Sequence, residues 1–142
     1  MSKNRIHIDL DWHEQIKDKY CKILNTQNGS RFLQKLLFQT KQEVIKLLYL
    51  EIEDNLHILF TKEYSNYFCS KLYSVCNHEL KLCYLRTICS KILFICLNNF
   101  GIYPFQNIIE LFETENEVEI MINGFKILNG FDLFILSSVY YF

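Results

Sequence analysis

Residues 29–37 read GSRFLQKLL, and the same pattern returns as SNYFCSKLY at 65–73 and GIYPFQNII at 101–109. Gly29, Ser65 and Gly101 stand 36 residues apart at each step, as do Ser30, Asn66 and Ile102, then Arg31, Tyr67 and Tyr103, then Gln34, Ser70 and Gln106. The phase holds upstream, where Tyr20, Leu56 and Ile92, then Ile23, Leu59 and Ile95, are all apolar. Downstream, Glu43 and Glu79, Val44 and Leu80, Leu48 and Tyr84, and Ile52 and Ile88 correspond between the first two copies. In the third copy a two-residue insertion restores the phase at Glu117 and Val118. A fixed period of this length is the signature of a repeat architecture.

Each copy resolves into three helical pieces. The first has apolar residues at i, i+3 and i+4, as in Tyr20, Ile23 and Leu24. The second is expected to begin at the Gly or Ser, which suits a helix N-terminus. It then places Phe32, Leu33, Leu36 and Leu37 on one face. The third carries Val44, Leu47, Leu48 and Ile52. Pro104 falls in the first turn of a middle helix, where its missing N–H has no intrahelical partner in any case. One such unit cannot bury its apolar face alone, but stacked neighbours make a continuous core. The expected fold is all-α, a right-handed helical-repeat solenoid. Its repeats span about 12–48, 49–84 and 85–122, and the start of a fourth lies at about 123–142. The apolar run at 131–142 resembles the first helix of that fourth copy. Either the chain continues into a longer array or this end docks onto something.

Composition narrows the functional classes. The chain has 142 residues, half of them hydrophobic and 22% charged, with one Pro and four Gly. A chain of this length buries roughly 68–70% of its unfolded surface, so it needs no disulfide or metal staples. The net charge of -1 argues against a polybasic binder of nucleic-acid phosphates. Residues 1–12 are too polar for a signal-peptide core, and the uncharged run at 92–109 is broken by Asn98, Asn99, Gly101, Pro104 and Asn107. No membrane partner is expected, and the location expected is cytoplasmic. Cys21, Cys69, Cys76, Cys83, Cys89 and Cys96 show no C-x-x-C pair and are read as small hydrophobes on helical faces, so no metal is expected. His7, His13, His57 and His78 lack metal spacing and are read as solvated or locally satisfied. Glu113, Glu115, Glu117 and Glu119 are read as a solvated acidic surface. No phosphate loop, nucleophile–base arrangement or carboxylate pair stands out, so no enzyme and no cofactor are expected.

The middle-helix residues carry the chemistry. Ser30 and Gln34 are four residues apart and share a helical face, so a hydroxyl and an amide together face one flat base edge. Arg31 is rotated by roughly 100° from Ser30 and offers its guanidinium plane for stacking, as Tyr67 and Tyr103 offer their rings. Stacking needs no net positive charge.

At this point the chain resembles the Pumilio/PUF family of RNA-binding proteins. GSRFLQKLL looks like that family's first repeat, SNYFCSKLY like its second, and GIYPFQNII like a later one. The resemblance implies one base of single-stranded RNA read per repeat, with N-terminal repeats at the 3′ end. Ser30 and Gln34, stacked by Arg31, resemble an adenine-reading set. Asn66 with Tyr67 resembles a uracil-reading set in which Ser70 replaces the usual Gln. Tyr103 and Gln106 fit the pattern, while Ile102 replaces a small or polar residue. Lys35 and Lys71 recur in phase as candidate phosphate contacts. The family further implies binding to mRNA 3′-untranslated regions and control of translation or decay through effector proteins, with no DNA partner. Two alternatives stand beside this: a helical-repeat protein-interaction scaffold, and a PUF-like ribosome-assembly factor, nucleolar or nuclear, that binds RNA with little sequence preference.

Overall fold

A computed structural model describes residues 10–130 and 132–135, and every regular element among them is helical. A helical stretch at 10–16 precedes three units of three helices each. The first unit is α1 (Tyr20–Leu24), α2 (Gln27–Leu37) and α3 (Gln42–Ile52). A 3₁₀ turn, Glu53–Asn55, leads into the second: α4 (Leu56–Phe60), α5 (Ser65–Val75) and α6 (His78–Cys89). The third is α7 (Ile92–Cys96), α8 (Ile102–Glu110) and α9 (Glu115–Ile127). The middle helices α2, α5 and α8 pack side by side in one row, α4 packs on α7, and α6 packs on α9. The chain is an all-α helical-repeat solenoid. No helix among the described residues is long and apolar enough to cross a membrane. The fourth-copy expectation at 131–142 lies mostly outside the described residues; 132–135 is helical.

Local chemistry sets the helix ends. α2 starts two residues before Gly29, not at it, because the Thr26 hydroxyl caps it by accepting from the Gly29 N–H at 3.1 Å. Gly29 is needed for a different reason. A Cβ there would lie 2.0 Å from the Ile23 carbonyl oxygen, and at Gly101 one would lie 2.3 Å from the Ile95 oxygen. The second copy solves the same close approach with Ser65, whose hydroxyl donates to the Leu59 carbonyl at 2.7 Å. One motif position thus seats the middle helix on the end of the first helix in all three copies.

The core runs unbroken through the units, as the stacking argument requires. Its centre is a cluster of phenols. Tyr84 stacks on Tyr49 with ring centroids 5.9 Å apart and meets Tyr73 edge-on at 5.4 Å. Each polar tip finds a partner, as buried Tyr hydroxyls generally must. Tyr84 donates to the Cys69 carbonyl at 2.6 Å, Tyr49 pairs with Thr87 at 2.7 Å, and Tyr73 donates to Glu117. On the outer side the Gln42 amide clasps the next unit. It donates to the Val75 carbonyl at 2.6 Å and accepts from the Asn77 N–H at 3.0 Å.

Three further sequence expectations change, while His13 is locally satisfied as read. Phe32 and Leu47 are not core: they are 56% and 39% exposed, because each unit's apolar stripe is narrower than the run of apolar residues. Glu117 is buried rather than solvated. It closes a capping box with Thr114 at the start of α9 and accepts the Tyr73 phenol across the unit boundary. Cys69, Cys76 and Cys96 are buried as expected, but Cys21 and Cys83 are exposed. Burial pushes the Cys76 and Cys96 thiols up to about 12, so they stay protonated and pack as small hydrophobes. The histidines divide. His13 is buried and bonded to the Tyr20 hydroxyl, and His57 meets Phe94 edge-on at 5.2 Å.

Candidate nucleic-acid interface

Side-by-side packing of α2 and α5 leaves a cavity of about 420 Å³ between the first two middle helices. Gln27, Ser30, Arg31 and Gln34 line it from α2; Glu63, Tyr64 and Tyr67 line it from the next unit. Arg31 is exposed, and Tyr67, in the first turn of α5, is 62% exposed. A planar cation and an aromatic ring, each with free surface, therefore border one slot. Such a pair suits a flat π system inserted between the two helices. Tyr103 on α8 is 64% exposed at the same phase, with Gln106 also exposed. Ile102 is buried against the core and offers no polar contact.

The edge positions behave differently from the stacking positions. Ser30 is only 2% exposed. Its hydroxyl donates to the Tyr64 carbonyl of the next unit at 2.8 Å and accepts from Gln34 Nε2 at 3.0 Å. The serine is thus a bracket that ties α2 to the turn before α5 and holds the Gln34 amide. Asn66 is equally buried, and its amide nitrogen donates to the Lys62 and Glu63 carbonyls at 2.7 and 2.8 Å. Both of its protons are spent within its own turn. Ser70 is half-buried and donates weakly to the Tyr67 carbonyl at 3.4 Å. Lys71 lies over the Phe38 ring, 5.7 Å from its centroid, and Lys35 is exposed. The structure therefore gathers Ser30, Arg31, Gln34 and Tyr67 at one slot, places Asn66 beneath it, and sets Tyr103 and Gln106 on the next helix.

Gln27, Glu63 and Tyr64 escaped the sequence reading. They sit ahead of the repeating motif, and Glu63 and Tyr64 occupy the turn between α4 and α5. Only the packing of one unit on the next brings Glu63 and Tyr64 to the slot that Gln27 and Gln34 line from α2.

No family model matches the sequence. The chain is 32% identical over 100 residues to a Pumilio domain-containing protein of Schizosaccharomyces pombe, covering 70% of this chain and 13% of that protein. It is 32% identical over 110 residues to the suppressor protein MPT5 of Saccharomyces cerevisiae, covering 75% and 13%. Over 132 residues it is 27% identical to Pumilio homolog 12 of Arabidopsis thaliana, covering 89% and 22%. Among solved structures, the RNA-binding domain of yeast Puf5p bound to AAT2 RNA superposes with a TM-score of 0.68 at 30% identity, over 75% of this chain and 30% of that one. The same domain bound to MFA2 RNA gives the same score. The chain thus spans less than a quarter of these curated relatives and under a third of the solved domain. Sequence phase, three-helix units and superposition agree, and the chain belongs to the Pumilio/PUF repeat family.

Proposed function

We propose that this chain binds single-stranded RNA by stacking bases against Arg31, Tyr67 and Tyr103, and that it acts in post-transcriptional control of mRNA. The observation that carries this reading is the slot between α2 and α5, walled by an exposed guanidinium and an exposed phenol. Tyr67 and Tyr103 are large aromatic side chains left in water at one repeated phase. Single-stranded bases supply the complementary faces. Adenine fits the first slot through Gln34. The second slot has weaker means of choosing a base, since Asn66 is engaged and Ser70 is short.

The burial of Ser30 and Asn66 favours a second reading, RNA binding with little sequence preference. Titration of the chain with short single-stranded RNAs separates the two. Under the first reading, Arg31→Ala and Tyr67→Ala each weaken binding by about 1–3 kcal/mol, and affinity changes with base identity. Equal affinity for all sequences favours the second. Unchanged affinity in both variants overturns stacking altogether.

A further inference from the structure

The two buried edge residues converge on one short segment. Ser30 holds the carbonyl of Tyr64, and Asn66 holds those of Lys62 and Glu63. The turn at 62–64 is therefore fixed from both helices, and it projects Glu63 into the lining of the slot. A carboxylate accepts hydrogen bonds and donates none. Ser30 retains no proton for a ligand, and Gln34 has one amide proton committed to Ser30, leaving Oε1 and one further proton. Across from Arg31 and Tyr67, the polar edge of the slot is thus rich in acceptors.

From this we infer that Glu63 determines base specificity in the first slot, admitting a base with an exocyclic amino group, adenine, cytosine or guanine, and rejecting uracil. Ser30 acts as a positioning residue for Gln34. The inference rests on the stacking reading above. Adenine and cytosine each present an amino group beside a ring nitrogen that accepts. The amino group meets Glu63 or Gln34 Oε1, and the free Gln34 proton meets the ring nitrogen. Uracil offers these acceptors a single N–H flanked by two carbonyl oxygens, so pairing that N–H with Gln34 turns carbonyl lone pairs toward the carboxylate. Glu63 is exposed in the free chain, and a base seated against it without a donor replaces its water with lone pairs, which disfavours that base.

The test uses the full chain with nonamers of A, C and U, which removes any dependence on register. The wild type is expected to bind the A and C nonamers more tightly than the U nonamer. Glu63→Gln keeps the shape and removes the charge, and the A-to-U affinity ratio is expected to fall about tenfold or more, on the order of one charged hydrogen bond. Ser30→Ala is expected to reduce the same ratio and to shift the Gln34 side-chain amide resonances in NMR spectra without RNA. A uniform gain for all three RNAs in Glu63→Gln, with the ratio unchanged, would mean that the carboxylate only repels phosphates. That result overturns the inference and leaves stacking intact. Wild-type binding without preference for A or C over U overturns it as well. If Arg31→Ala and Tyr67→Ala leave binding unchanged, the stacking reading falls and the inference falls with it.

Discussion

Gly29 shows how one atom sets the spacing of a repeat. Its hydrogen faces the Ile23 carbonyl where a methyl would have only 2.0 Å. Gly29→Ala must push α2 away from α1, and overpacking of this kind costs about 1–3 kcal/mol. Thermal or denaturant unfolding of the variant is expected to show that loss, whereas Ser65→Ala should cost less, since it removes only a hydrogen bond to the Leu59 carbonyl. The same position in three copies thus has one structural duty met by two chemistries. Position three of the motif divides in the opposite way. Arg31, Tyr67 and Tyr103 all reach solvent, so the apolar character of the two tyrosines signals a surface and not a core. A sequence pattern alone reports apolarity, and only packing decides which apolar rings are left uncovered.

At the level of elements, α9 is coupled to α5 through Glu117. Burial pushes this carboxyl up, but its hydrogen bonds with Tyr73, the Glu113 backbone and Thr114 outweigh burial, and the net shift is downward. Burial and the same bond push the Tyr73 phenol up. A carboxylate with a lowered folded value stabilises the fold fully above its ordinary value near 4.5 and loses that contribution as pH falls through the lowered one. Glu117→Gln is expected to destabilise the chain at neutral pH by about 1.5–3 kcal/mol, the range for hydrogen bonds to charged groups. Melting curves of wild type and variant should converge as pH drops below 4. A gap that persists unchanged at pH 3 would show that shape, not charge, supplies the stability. The alternating glutamates at 113–119 are uninformative on this point as a string, because burial of one of them depends on where α5 places Tyr73.

At the scale of the whole molecule, net charge constrains how the proposed RNA would be held. A balance of -1 leaves little for counterion release. Lys71 lies over the Phe38 ring, although it stays exposed. Binding should therefore fall gently with salt, with a log–log slope shallower than about -2 where each phosphate contact to a single strand contributes about -0.7. A steep slope would point to a phosphate track instead of stacked bases. The sequence by itself determined the 36-residue period, the three-helix unit and the in-phase recurrence of Arg31, Tyr67 and Tyr103. Those follow from local spacing, since residues four apart share a helix face whatever lies beyond. Tertiary structure alone decided that Ser30 and Asn66 serve as brackets, that Glu117 is buried, and that Glu63 joins the slot. In each case the partner stands on another helix or in the turn between two helices. For Ser30 and Glu117 the hydrogen bond crosses from one unit to the next, for Asn66 it closes the turn before its own helix, and for Glu63 packing alone sets its place, none of which periodicity encodes.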